Sequence, residues 1–319
     1  MDTETIQKIL ESFGIQTEDL HNIPLLSLPK QRVDGKVLTA AGQAICHLLY
    51  KDLANQGGSS LIQRCLRTPT DINHRAKYVA VKRPRFPALD FSLEGLVQAL
   101  AHHSLTQDGI VGAVPEVYDI FLFGNEVRFS MEWVEGTSCL DLLNAEVGKS
   151  SFEGVFLDIL IQLCIILECL ERRIFLDHRD MKLDNIWIRT PAKQIQYTVR
   201  LNGRAYKYTS SIQVVLLDFG FACIGNEARK MKINLGGVIP DLDPCPKEGR
   251  DIYHLLCRLM ERLEFKNSMS KSFAALLEEW IRPYRFTRHS ITLLETSDPK
   301  FHLNTVSPTN ILEWYFLAK

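Results

Sequence analysis

The segment His178-Arg179-Asp180-Met181-Lys182-Leu183-Asp184-Asn185 constrains this chain more than any other. It stands between a long helix-patterned run over 151–173 and a short strand-like run, Ile186–Arg189. Its density of charge in that position is what phosphoryl transfer to a hydroxyl requires. A carboxylate must orient the attacking oxygen, and an oxygen ligand for Mg²⁺ must stand nearby. Asp180 and Asn185 supply those two groups.

The rest of the chain orders itself around that segment. Ile6, Ile9, Leu10 and Phe13 repeat at helical spacing before Gly14, and 38–53 reads as a second helix or a helix leading into a strand. Strand patterns follow at Leu61–Leu66 and Tyr78–Lys82, then a helix over 91–102. Two more strands follow, Val117–Phe123 and Val127–Val134, with Gly124-Asn125 as the turn. Helices are predicted over 138–145 and 151–173. Short strands come next at 186–189, 197–201, 205–209 and 214–217, and Asn202-Gly203 signals a hairpin. Helices return over 250–264, 270–281 and 308–317. The pattern predicts an α+β protein of two lobes, β-rich first and helical second. Its expected divisions are an N-terminal helical extension (1–50), an N-lobe (51–134) and a C-lobe (135–319).

Further residues carry the same chemistry. Asp218-Phe219-Gly220 follows the apolar strand Val214-Val215-Leu216-Leu217, which delivers a carboxylate to a strand end where it can hold a metal between phosphates. In Tyr78-Val79-Ala80-Val81-Lys82, alternation puts Lys82 on the side of Ala80, where it would neutralise phosphates. Glu94 is the acid in 91–102 that can pair with Lys82. Gln56-Gly57-Gly58-Ser59-Ser60 offers Gly57, Gly58 and Ser59 as a short phosphate cradle, since glycine lets backbone N–H groups come close. His102 and His103 at a helix end suit the helix dipole better than a metal.

Together these motifs resemble the eukaryotic protein-kinase-like superfamily: the octad fits HRDxKxxN, and the downstream DFG and the VAVK strand lie in the family's order. The resemblance covers roughly residues 55–264 and implies use of ATP and Mg²⁺. It implies catalytic roles for Asp180, Lys182, Lys82 and Glu94, and metal-binding roles for Asn185 and Asp218. Ala80, Met131 at the gatekeeper position, Glu132, Val134 and Trp187 would frame the adenine. Lys182 is the mark of the Ser/Thr-specific loop, and Asp251 looks like the buried acid that anchors it. Several features depart from the pattern. Gln98 stands one turn after Glu94, where an apolar residue is usual. Trp187 replaces the usual leucine beneath adenine, and the glycines are too few for GxGxxG. The hairpin before DFG is lengthened by Gln196–Ser211, no APE motif follows, and the C-terminal part is reduced. Those departures resemble the haspin-like and large-DNA-virus kinases.

Lys plus Arg (37) nearly equals Asp plus Glu (38), which leaves no net field for nucleic acid or an anionic membrane. The apolar run Val155–Leu170 is broken by Asp158, Gln162 and Glu168, so it reads as a core helix and no membrane span is expected. None of the eight cysteines forms a CxxC pair, and the N-terminus does not read as a signal peptide. A soluble intracellular protein with packed thiols is expected. The expected partners are ATP and a protein substrate presenting Ser or Thr. Two alternatives remain, a kinase-fold enzyme acting on a small molecule and a pseudokinase binding module. Finally, 219–250 contains no Ser, Thr or Tyr. A kinase of this sequence is expected to need no activating phosphorylation there, with Arg179 satisfied by Glu227, Asp241, Asp243 or backbone carbonyls.

Overall fold

A computed structural model describes residues 3–15, 28–56, 60–71, 73–86, 90–226, 231–236, 245–282, 296, 298 and 303–317. The chain divides into two compact units, Met1–His103 with Pro115–Val134, and Ser104–Val114 with Glu135–Lys319.

Among the described residues the first unit opens with α1 (Thr3–Ser12) and is built on seven strands. They are β1 (Lys30–Gln31), β2 (Lys36–Leu38), β3 (Ala44–Gln56), β4 (Ser60–Pro69), β5 (Lys77–Pro84), β6 (Val117–Phe123) and β7 (Glu126–Glu132). Neighbours in the order β1-β2-β3-β4-β5-β7-β6 pair antiparallel, and one parallel bridge, Lys30 to Leu122, joins β1 to β6. The helix α2 (Ser92–Gln107) begins in this unit.

The helical reading of 38–53 is corrected: 44–56 is a strand. Cys46 and Leu48 are buried while Leu49 is exposed, a period of two. Register shifts between Tyr50 and Asp52 and between Leu53 and Asn55 interrupt the alternation, which made the run resemble a helix. The sheet therefore starts well before residue 51, within the stretch expected to be a helical extension.

Val37, Cys46, Leu48, Cys65, Val79, Val81, Tyr118 and Phe121 form a core cluster here. Asp119 is buried beside it, and Arg67 Nε (2.8 Å), Arg67 Nη2 (3.1 Å) and Ser130 Oγ (2.8 Å) all donate to its carboxylate. A buried charge needs that degree of satisfaction to be tolerated.

The second unit carries β8 (Thr137–Ser138), α3 (Cys139–Glu146), α4 (Phe152–Ile174), β9 (Leu176–Asp177) and β10 (Ile186–Arg189). The hairpin β11 (Ile195–Leu201) and β12 (Arg204–Ser210) follows, then β13 (Gln213–Leu216), β14 (Cys223–Asn226) and β15 (Met231–Asn234). The unit ends with α5 (Arg250–Met260), α6 (Leu263–Asn267), α7 (Lys271–Trp280), β16 (Ile281–Arg282), β17 (Asn304–Thr305) and α8 (Pro308–Leu317). The helix expected over 250–264 is thus two helices, α5 and α6, with a break at Glu261-Arg262.

Ser138 caps α3 by accepting from Asp141 N, and Phe175 ends α4 in the left-handed region (φ 52°). The polar breaks in α4 dock the inserted hairpin. Asp158 accepts from Tyr208 Oη (2.6 Å), Ser210 Oγ (2.6 Å) and Gln162 Nε2 (2.9 Å), and Gln162 Oε1 accepts from Val214 N (3.0 Å). The hairpin also meets α8, with Tyr206 and Phe316 rings 5.3 Å apart. Among the described residues no helix is long and apolar enough to cross a membrane.

Candidate active site

Asp251, the first acid of α5, is buried, and it organises the loop that follows β9. Its two carboxylate oxygens accept from the backbone N–H groups of His178 (2.7 Å) and Arg179 (2.8 Å). His254, one turn along the same helix, meets Arg179 O through Nδ1 (3.1 Å). His178 Nε2 lies 2.9 Å from Leu217 O, and its ring sits 5.1 Å from that of Phe219. Burial holds His178 below the ordinary histidine value. The loop is therefore pinned by backbone bonds from a helix and a strand end, not by its own side chains alone.

That scaffold brings Asp180, Lys182 and Asn185 together. Lys182 Nζ donates to Asp180 Oδ2 (2.6 Å). Asn185 Nδ2 donates both to Asp180 O (2.9 Å) and to Asp180 Oδ2 (2.8 Å). The spacing works because Leu183–Asn185 is a 3₁₀ turn, with Asn185 N bonded to Lys182 O (3.0 Å), which folds Asn185 back onto Asp180. With its amide nitrogen committed, Asn185 keeps Oδ1 as a hard ligand atom.

Asp218 follows β13, which pairs with β10 from Ile186–Leu216 to Arg189–Gln213. Leu217 N donates to Asn185 O (2.9 Å), so both oxygen donors hang from adjoining strand ends. Arg179 (φ 64°) and Asp218 (φ 63°) both occupy the left-handed region, at a cost of about 1–3 kcal/mol each. Strain of this kind gathers where side-chain aim matters more than backbone comfort.

Trp187 is half-buried on β10, opposite Val215 and Ser138. A Cβ at Gly136 (φ 150°) would come within 2.2 Å of Ile188 O and 3.0 Å of Trp187 Nε1. Only glycine admits that approach. The Trp187 indole N–H is buried and has no hydrogen-bond partner among the described residues.

In the first unit, Lys82 on β5 and Glu94 on α2 form a buried ion pair. Lys82 Nζ also lies 5.4 Å from the centre of the Phe91 ring. Gln98 donates from Nε2 to Pro115 O (3.0 Å) and lies 3.3 Å from Met131 Sδ. A polar residue at this position is accounted for: its amide ties α2 to the backbone entering β6. Ala80 is buried and faces Met131 across β5 and β7, and Glu132 faces Val79. Val134 is half-buried beyond the end of β7. Gly57, Gly58 and Ser59 lie outside the described residues, as do Glu227, Asp241 and Asp243.

Several supports of the loop come from residues that no local sequence pattern marks. Arg179 Nη1 donates to Asn234 Oδ1 on β15. Asp177 accepts from Lys247 N (2.7 Å) and pairs with the fully buried Arg250 (3.3 Å). Burial pushes its carboxyl up to about 7 although Arg250 opposes the rise. Glu171 on α4 is pushed up to about 9 by burial, with the negative charges of Asp177 and Asp251 adding to the effect. No local signal announces these contacts, because each joins residues far apart in sequence.

Comparison with known proteins gives a family match. The sequence model described as poxvirus serine/threonine protein kinase matches residues 128–287, a span that holds the octad, Asp218 and Asp251 but not Lys82 or Glu94. A search of curated proteins gave no match. Among solved structures, the kinase domain of PF14_0431 is 20% identical with a TM-score of 0.35, over 61% of this chain and 55% of that one. The BubR1 kinase domain is 16% identical with a TM-score of 0.45, over 86% of this chain and 71% of that one. The chain thus spans little more than half the length of the first of these.

Proposed function

Because the chain belongs to the poxvirus serine/threonine protein kinase family, we propose that it is an active, two-lobed protein kinase that moves the γ-phosphoryl group of ATP onto serine and threonine hydroxyls of proteins. The observation that carries this reading is the set around Asp180, whose carboxylate receives Lys182 at 2.6 Å and Asn185 at 2.8 Å.

Each residue has a role its chemistry fits. Asp180 orients the substrate hydroxyl and takes its proton as the oxygen bonds to phosphorus and the bond to ADP breaks. Lys182 spreads positive charge toward the transferring group. Asn185 and Asp218 offer hard oxygen atoms suited to Mg²⁺. Among the described residues no group of three His, Cys, Asp or Glu side chains is placed to hold a metal alone. A cation at Asn185 and Asp218 would complete its shell with phosphate and water, as Mg²⁺ commonly does. Lys82, aimed by Glu94, would bind the nucleotide phosphates. Gly57, Gly58 and Ser59 would cover them, and Ala80, Met131, Glu132, Val134 and Trp187 would frame the adenine. When bound, Mg-ATP supplies the transferable group and neutralises its charge.

The test is a thermal shift with Mg-ATP, followed by phosphate transfer to casein, histone or myelin basic protein and identification of the phosphorylated residue. Stabilisation with phosphoserine or phosphothreonine as product supports the reading. Stabilisation without any transfer would make the chain a binding module. Transfer only to a small-molecule acceptor would replace the protein substrate.

A further inference from the structure

The hairpin β11–β12 carries charge of one sign only. From Asn185 to Leu217 there is no Asp or Glu, while the same stretch holds Arg189, Lys193, Arg200, Arg204 and Lys207. Over the whole chain 37 basic residues nearly cancel 38 acidic ones, so the imbalance is local to this insert. Arg189 is engaged inside the fold, on Gln213 Oε1 (2.9 Å) and Gly112 O (2.8 Å). The other four are exposed, and among the described residues none of them lies in an ion pair. The acids packed against the hairpin are occupied: Asp158 accepts from Tyr208 and Ser210, and Glu313 of α8 accepts from Asn202 Nδ2 (3.3 Å).

Register sorts the hairpin into two faces. Tyr197, Val199, Leu201 and Tyr208 are buried on one. The pairs Gln196–Thr209, Thr198–Lys207 and Arg200–Ala205 stand on the other, and all of these residues are exposed. Asn202 (φ 50°) and Gly203 (φ 77°) close the hairpin as a two-residue turn with both φ positive. Next to such a turn Leu201 and Arg204 exchange backbone hydrogen bonds, and so does every second pair after them. The pairs in between, those of the exposed face, turn their N–H and C=O groups outward. The sheet has only these two strands, and among the described residues no other backbone group bonds to that outer edge. Open donors and acceptors thus lie beside cations that select the charge of whatever pairs with them.

We propose that the hairpin is a docking edge for an acidic protein segment, which adds to β11 or β12 as a third strand with its carboxylates beside Arg200 and Lys207. Three observations favour that occupant. A second copy of the hairpin would bring like charges together. The exposed face has no aromatic side chain on which a nucleic-acid base could stack. No large hydrophobic side chain of the hairpin is exposed to enter a lipid surface. Lysine and arginine on an edge also discourage pairing with neutral apolar strands, so the edge is guarded against aggregation while it stays open to an acidic strand. No residue assigned to phosphate transfer takes part, so docking is measured without reference to activity.

The experiment uses the full chain and a fluorescent peptide of alternating glutamate and threonine, long enough to span one strand. Anisotropy measures binding, and hydrogen exchange locates it. The peptide should bind, more weakly as salt rises, and a lysine–threonine peptide of the same length should not. Arg200→Glu combined with Lys207→Glu should weaken binding about tenfold at unchanged circular dichroism. In the wild-type protein the bound peptide should slow exchange at the amides of Thr198 and Arg200, or of Ala205 and Lys207, by about tenfold. If the double variant fails to fold, that exchange result on the wild-type protein decides. No binding up to about 1 mM peptide, or equal binding of the lysine peptide, would overturn the proposal. Binding without protection of either pair of amides would reduce the contact to charge alone and would also overturn it. Tighter binding of single-stranded oligothymidylate or of phosphatidylserine vesicles through Arg200 and Lys207 would assign the edge to another class of partner and refute the acidic strand.

Discussion

Replacing Asp251 by alanine tests the scaffold beneath the candidate site. The Asp251 carboxylate is the acceptor for two backbone N–H groups, those of His178 and Arg179, at 2.7 and 2.8 Å. It is 2% exposed, so water does not replace it without rearrangement. Each buried donor left without a partner costs about 1–3 kcal/mol. The neighbouring guanidinium groups of Arg250 and Arg179 also lose a nearby negative charge, although Arg250 keeps its pair with Asp177; the loss of a whole buried pair, about 3–5 kcal/mol, is the upper bound. The effects overlap, so Asp251→Ala should destabilise the second unit by about 3–5 kcal/mol. Asp251→Asn keeps one oxygen acceptor and should lose about half as much. Urea unfolding followed by circular dichroism measures the loss, and native-state hydrogen exchange localises it to the amides of His178 and Arg179. Those amides should lose protection by about two to three orders of magnitude in the alanine variant. A loss under about 1 kcal/mol with both amides still protected would refute the reasoning.

Three further outcomes are expected. Lys82→Ala and Glu94→Ala should each reduce transfer strongly, and the double variant should be little worse than the worse single, because residues that act as one unit are not additive; a loss equal to the product of the singles would separate them. Glu171 has a carboxyl raised to about 9 in the folded state, so its neutral form is favoured there and its contribution is lost as pH rises from about 4.5 toward 9. Wild-type stability should therefore fall relative to Glu171→Gln by up to about 1.4 kcal/mol per pH unit across that window, read by urea midpoints; parallel curves would place Glu171 in contact with water. Phosphatase treatment of the purified protein should leave its transfer rate unchanged, and a large loss would show control by a phosphosite elsewhere in the chain.

What was legible in the sequence was what lies close together along it. The octad, the strand ending at Asp218 and the Asn202-Gly203 turn are local patterns, and the structure places Asp180, Lys182 and Asn185 in mutual contact. The helices over 152–174 and 308–317 were legible because each is a long, mostly apolar run, and in the first the polar interruptions Asp158, Gln162 and Glu168 are too few to end it. The strand 44–56 was not, because two register irregularities blurred its alternation. Asn234 and Arg250 were missed for another reason. Their partners lie 55 and 73 residues away, so no spacing rule links them. The Arg67–Asp119 pair, separated by 52 residues, was invisible on the same ground. Gln98 looked like a defect in the helix pattern until its acceptor, Pro115 O, was seen.

The most direct measurement of the central claim is phosphate transfer by Asp180→Asn beside its affinity for Mg-ATP. The side chain keeps its size and retains an oxygen that Lys182 and Asn185 can reach, while the carboxylate that would take the hydroxyl proton is gone. The expected result is transfer reduced by about 10²–10⁴-fold, with Mg-ATP affinity within a few-fold of wild type. Transfer at near wild-type rate would contradict the assignment of Asp180 and the chemistry built on it.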